Sequence, residues 1–209
     1  MSLICPTVLA SDGASYVAQM ERVAGLSSRL QIDLMDGDFA EPRSVNLAQV
    51  WWPDGVEADI HLMYRQPASE LESLVSLKPN CVIIHAEADG DLAGVIEHLK
   101  KFDIKTGLAL LKPTQPDQVN DLIGLVNHVL IFSGDLGKFG GQADMAMLDK
   151  IKQIRAINPN AEIGWDGGAN LSNVQQLAAA GVDVINVGGA LQQVDNPAKA
   201  YANMVSEIG

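Results

Sequence analysis

The sequence predicts a closed (β/α)8 TIM barrel of the α/β class. Eight short apolar runs alternate with stretches of helical spacing along the 209 residues. The runs are nearly continuously apolar, as strands of a parallel sheet covered on both faces are. Their C-terminal ends are polar, carrying aspartates, histidines and glycine pairs, as the functional end of such a barrel does. An open doubly wound sheet is the other arrangement that strand–helix alternation allows. Eight units in this length match the small end of the barrel range. No linker, low-complexity segment or shift in composition marks a second domain, so residues 1–209 read as one barrel domain.

Each element follows from local pattern. Leu3 to Leu9 reads as the first strand, and Tyr16 to Ala24 has helical spacing that stops at Gly25. Leu30 to Leu34 and Asp59 to Met63 are the next strands, joined by a segment that Pro42 and Pro53 keep from being helical. Ala68 to Leu77 is a helix ending before Pro79. Cys81 to His85, Thr106 to Leu111, His128 to Phe132, Glu162 to Trp165 and Asp183 to Val187 complete the strands. Between and after them fall helices at Leu92 to Phe102, Pro116 to Val126, Met145 to Ile157, Leu171 to Ala180 and Pro197 to Ile208.

Composition excludes several classes of function. Lys and Arg number 14 against 26 Asp and Glu, and the resulting charge of −12 argues against binding nucleic acid through its phosphates. No apolar run is long enough to cross a bilayer, so no membrane partner is expected. The start, MSLICPTVLA, lacks the basic stretch of a signal peptide. Cys5 and Cys81 have no CxxC spacing and read as reduced, buried thiols. A cytoplasmic location is the expectation.

The chemistry is expected at the strand ends. Phe139-Gly140-Gly141-Gln142, Asp166-Gly167-Gly168 and Gly188-Gly189 follow strands six, seven and eight. Glycine lets backbone N–H groups face a ligand without an intervening side chain, and the late loops of such barrels often hold a phosphate. Any one pair reads as an ordinary turn; three clusters on consecutive strands point to an anion. Asp33 and Asp166 lie three steps apart around the ring and are expected to face each other across the barrel mouth. Two carboxylates about one carbon suit a two-base proton transfer. Gln31 shares the inner face with Asp33. His61 points into the same mouth and reads as a metal ligand beside the two aspartates. His85 reads as a wall or structural residue; His98 and His128 read as uninvolved. Asp12, Asp36 and Asp38 read as caps and turn residues.

Ile4-Cys5-Pro6-Thr7-Val8-Leu9, Gln31-Ile32-Asp33-Leu34-Met35-Asp36-Gly37, His61-Leu62-Met63, Phe139-Gly140-Gly141-Gln142 and Asp166-Gly167-Gly168 occur in this order. Together they resemble the ribulose-phosphate 3-epimerase family along nearly the whole chain. The resemblance implies a barrel of the ribulose-phosphate-binding type, an isomerase of carbohydrate metabolism in the pentose phosphate pathway. It would interconvert ribulose 5-phosphate and xylulose 5-phosphate. Asp33 and Asp166 match the family's acid and base at C3. With His61 they also match ligands of a divalent metal (zinc, manganese, iron or magnesium) that stabilises a cis-enediolate. Thr7, Met35, His61 and Met63 match residues around the substrate, and the phosphate would rest on amides near Gly140, Gly141, Gly168, Gly188 and Gly189. A sugar-phosphate ligand and a homo-oligomeric state are implied too.

The chain departs from the family at several places. Gln31 stands where the fourth metal ligand is a histidine. An amide oxygen suits harder cations better than zinc, so the exchange weakens the metal, shifts its identity or removes it. Thr7 keeps the hydroxyl of a family serine, while Ala10 and Gly189 lose theirs. The loop Ser133-Gly134-Asp135-Leu136-Gly137-Lys138-Phe139 is one residue longer, and Lys138 either reaches the phosphate or is solvated. The segment from Ala40 to Val56 fits the family poorly. A hexulose-phosphate 3-epimerase and a non-catalytic phosphosugar-binding barrel therefore stand as alternatives. A decarboxylase of this kind needs a lysine at the end of strand three, where this chain has Ile60-His61-Leu62. For a Schiff-base aldolase the only candidate is Lys112, which Pro113 places in a turn.

Overall fold

The computed structural model describes residues 2–138 and 141–209. Strands β1 (Leu3–Val8), β2 (Arg29–Met35), β3 (Glu57–Met63), β4 (Cys81–His85), β5 (Lys105–Leu110), β6 (His128–Phe132), β7 (Glu162–Asp166) and β8 (Val184–Val187) pair in parallel in sequence order. β8 closes the barrel by pairing with β1, Cys5 opposite Asn186. The helices are α1 (Gly13–Val23), α2 (Leu71–Leu77), α3 (Leu92–Lys100), α4 (Asn120–Leu125), α5 (Asp149–Ile157), α6 (Val174–Ala179), α7 (Gly189–Gln192) and α8 (Pro197–Ile208). Asp12 caps α1 by accepting from the Ser15 amide at 2.9 Å.

The strand set matches the sequence reading to within one or two residues at each end. Helix starts differ more. The stretches expected to begin at Ala68, Pro116 and Met145 open with a turn of 3-10 helix before α2, α4 and α5. The stretch expected from Leu171 becomes regular only at Val174, because Asn170 first closes side-chain turns with Ser172 and Asn173. Between β2 and β3 there is no α-helix, only a 3-10 turn at Leu47–Gln49, as Pro42 and Pro53 lead one to expect.

Burial follows strand alternation. Ile32, Leu34, Ile60, Leu62, Val129, Ile131 and Ile163 face outward and join the layer between barrel and helices. Cys81, Ile83, Ala109 and Leu130 form a separate cluster that fills the barrel interior. Both cysteines are free and buried. The N-terminal end of the barrel is plugged by charge. Arg29 donates through Nε to Asp59 at 2.7 Å and as a fork to Glu162 at 2.9 and 2.8 Å. His128 lies 2.8 Å from Glu162, and Asn80 donates to Asp59 at 2.7 Å. His128 therefore belongs to this plug, away from the mouth. Among the described residues, no helix is long and apolar enough to cross a membrane.

Candidate active site

At the C-terminal ends of the strands lies a cavity of about 390 Å³. Thr7, Asp33, Met63, Phe132, Asp166 and Asn186 line it, together with turns carrying Gly141, Gly168, Gly188 and Gly189. Of the residues singled out from sequence, Phe139 and Gly140 lie outside the described residues. Met35 is buried in an apolar cluster with Ala40 and Met63, against which Leu9, Phe39 and Leu136 pack. Lys138 lines the cavity from the loop after β6 and is exposed.

Asp33 and Asp166 do not sit apart across an open mouth. Their side chains converge over the barrel axis, because an eight-stranded barrel is only wide enough for side chains to fill it. The Gln31 amide nitrogen lies between them and donates to Asp33 at 2.8 Å and to Asp166 at 2.7 Å. His61 Nδ1 is 2.9 Å from Asp33 and 3.5 Å from Asp166. Burial raises the Asp33 carboxyl above its ordinary range, and the charge of Asp166 adds to this; His61 and Gln31 oppose it. Burial disfavours a charged His61, yet hydrogen bonds to Asp166 and Asp33 prevail and push its pKa up to about 9. The chain thus balances its two carboxylates with an imidazolium and an amide.

The far side of His61 meets a second histidine. His61 Nε2 and His85 Nε2 are 2.9 Å apart, with the rings tilted by 30°. His85 Nδ1 faces Glu87 Oε2 at 3.4 Å. The other oxygen of Glu87 accepts from the Leu111 amide at 3.0 Å and from the Thr114 hydroxyl. That loop is held in turn by Lys150 of α5, whose ammonium donates to the carbonyls of Leu111, Lys112 and Thr114 at 2.7, 3.1 and 2.8 Å. Burial, with the charge of His61, holds His85 down to about 4, so it stays neutral. The Glu87 carboxyl is lowered although burial opposes it, because His85, Thr114 and the Leu111 amide favour the anion.

The glycine turn after β7 is built by close backbone approach. Gly167 and Gly168 have φ of +106° and +72°, which L side chains rarely adopt. A Cβ on Gly167 would overlap the Gly134 backbone, and one on Gly168 the Ala143 nitrogen. Trp165 Nε1 donates to the Gly167 carbonyl at 3.0 Å, and Asn170 and Asn173 both donate to that of Gly168 at 2.9 Å. Its carbonyls are thereby committed to the protein.

The Asp33, His61 and Asp166 ligand atoms all lie within 4.8 Å of one another, as a metal site requires. Gln31 Oε1 is buried and has no partner. Turning that amide over would present its oxygen beside the two carboxylates and the imidazole. Three oxygens and one nitrogen suit a divalent cation with a taste for oxygen, so the residues fit such an ion.

Two features were missed from sequence, one in the cavity and one behind it. Asn186 lines the cavity with both amide atoms buried and unpartnered; a lone polar residue within Val184-Ile185-Asn186-Val187 was the available signal. Glu87, two residues after His85, was the other.

A closed barrel with two carboxylates and an imidazole at its mouth, beside glycine-rich turns, is the frame of a sugar-phosphate isomerase. Residues 3–192 match the model of the ribulose-phosphate 3 epimerase family. The chain belongs to that family, and is an enzyme of the isomerase kind. It is 30% identical over 193 residues to the ribulose-phosphate 3-epimerase of Helicobacter pylori, covering 88% of each chain. It is 29% identical over 215 residues to that of Mycobacterium tuberculosis, covering 99% of this chain and 93% of the relative. In fold it is similar to 3-hexulose-6-phosphate synthase from Salmonella typhimurium, at a TM-score of 0.74 and 14% identity. That superposition covers 100% of this chain and 98% of the other.

Proposed function

We propose that this chain inverts C3 of a ketose phosphate, interconverting ribulose 5-phosphate and xylulose 5-phosphate. The observation that carries this is the meeting of Asp33 and Asp166, from opposite strands, on one cavity beside glycine turns. One aspartate removes the C3 proton from one face and the other returns a proton to the opposite face, through a cis-enediolate. Positioned general acid–base groups of this sort contribute roughly 10²–10⁴ in rate. Burial favours the base: a carboxyl raised above its ordinary range, as Asp33 is, accepts a carbon-bound proton more readily at neutral pH. The aspartates exchange roles with the direction of reaction.

Asp33, His61 and Asp166, with the Gln31 amide oxygen, would hold the divalent cation, which supplies Lewis-acid stabilisation of the charge developing on the sugar oxygens. Met63, backed by Met35, keeps water from one side of the planar intermediate. Thr7 offers its hydroxyl to the sugar. The phosphate rests on amides near Gly141, Gly168, Gly188 and Gly189.

The test follows C3 of ribulose 5-phosphate by NMR in D₂O, with metal-free and manganese-supplemented protein. Deuterium entering C3 as xylulose 5-phosphate accumulates, faster with manganese, is the expected result. No exchange in either condition overturns the pentulose reading. Hexulose phosphates, and then binding without turnover, would be examined next.

A further inference from the structure

We propose that His85 and Glu87 are positioning residues that present His61 Nδ1 to the cation site, through a carboxylate–imidazole–imidazole relay running away from the cavity. The inference rests on the metal-cluster part of the function proposed above, and it adds two residues that do not touch substrate or cation.

One proton assignment along the relay gives every buried nitrogen and oxygen in it a partner. Glu87 is acceptor-only as an anion, and its Oε1 is already used by Leu111 and Thr114. Its Oε2 and His85 Nδ1 are both buried and make no other hydrogen bond; 3.4 Å apart, longer than an ordinary hydrogen bond, they are satisfied together by a proton on Nδ1. A neutral His85 with that proton has a lone pair on Nε2. At 2.9 Å, His61 Nε2 must then donate to it. Once Nε2 of His61 carries the proton, Nδ1 is the nitrogen with a lone pair in the neutral ring. Nδ1 is also the atom that faces Asp33 and Asp166. Carboxylates and carbonyls behind a ligating histidine fix its tautomer and ring orientation in this way. Here a second imidazole is inserted between the carboxylate and the ligand.

The relay is also held in place. His61 and His85 are both fully buried, so no solvent competes for their nitrogens. Phe132 and Phe39 pack on the rings, Phe39 at 4.8 Å from His85 and Phe132 at 5.6 Å from His61. Lys150 fixes the carbonyls of the loop that supplies both partners of Glu87 Oε1.

Glu87→Gln reverses the relay at nearly constant shape. A glutamine can still accept from Leu111 with its oxygen, but its NH₂ then faces His85 Nδ1. That forces the proton of His85 to Nε2, against the Nε2 proton of His61. The conflict is relieved by moving the His61 proton to Nδ1, which blocks the ligand lone pair. Mn²⁺ binding by calorimetry should weaken about 10–100-fold, the usual range for losing such a partner. Glu87→Asp, which keeps the charge, should recover much of the loss. With diamagnetic Zn²⁺ bound, nitrogen–proton NMR of the wild type should show His61 protonated at Nε2 and His85 at Nδ1. These readouts need no turnover, so failure of epimerisation and failure of the relay are separable. A Glu87→Gln protein that binds Mn²⁺ within twofold of wild type overturns the proposal. So does the opposite tautomer in the wild type, or a wild type that binds no Mn²⁺. If Glu87→Gln does not fold, the wild-type tautomers decide.

Discussion

Replacing Arg29 by methionine tests the charged plug at the closed end of the barrel. The Arg29 and Asp59 side chains are 10% and 2% exposed, whereas that of Glu162 is 36% exposed. The buried Arg29–Asp59 pair therefore dominates. Removing one partner of a buried pair costs ~3–5 kcal/mol, since the other charge is left uncompensated. The half-exposed Glu162 pairing adds at most ~1 kcal/mol. Methionine fills much of the arginine stem, and Asn80 still donates to Asp59, so the lower end, ~3 kcal/mol, is expected. For a chain of this size that is a fall of roughly 6–12 °C in Tm.

The loss should depend on pH. Burial already raises the folded Asp59 carboxyl above its ordinary value, with Arg29 opposing. Without Arg29 that carboxyl rises further. An acid whose folded pKa exceeds its unfolded one destabilises the fold at pH above the folded pKa, and the penalty fades as pH falls through it. The difference between wild type and Arg29→Met should thus be largest at neutral pH and shrink on acidification. Arg29→Met with Asp59→Leu should recover most of the stability. Urea unfolding across pH is the assay. A loss under about 1 kcal/mol at pH 7, or a loss flat with pH, would refute the reasoning.

Three further outcomes are expected. Asp166→Asn should lower kcat by about 10²–10⁴ while sugar-phosphate binding by calorimetry changes little; a variant with unchanged turnover would remove Asp166 from the chemistry. Because His61 titrates at about 9 and must be neutral to ligate, Mn²⁺ binding at pH 7 should release about one proton and strengthen roughly tenfold per pH unit up to that value. Calorimetry in buffers of different ionisation enthalpy reads this, and binding without proton release contradicts it. Gly167→Ala, forced into φ +106° against the Gly134 backbone, should weaken inorganic phosphate binding as well as stability. Phosphate affinity equal to wild type would separate that turn from the anion site.

Much of the site was readable along the chain because strand period and loop order are local properties. Asp33, His61 and Asp166 each stand out as polar residues at the ends of apolar runs, and Gly167-Gly168 as a turn that needs glycine. The loop segments were less legible: Pro42 and Pro53 announce a broken crossover, but not that Ser44 returns to hydrogen-bond the Met35 amide at 2.8 Å. The regular starts of α2, α4 and α5 were set back by 3-10 turns, which have no strong sequence mark.

By itself, then, the sequence determined the eight-fold alternation and the end of the barrel that carries chemistry. Apolar runs alternating with helical spacing encode the first, and the polar residues and glycines at the strand ends encode the second. Only the tertiary structure decided which inward side chains meet. Gln31 touches Asp166 across 135 positions of sequence, Arg29 reaches Glu162 across 133, and His61 finds His85 on the neighbouring strand. Strand alternation says which residues share a face, but not their depth or their partners across the axis; those follow from barrel closure, which brings opposite strands within a side chain's reach.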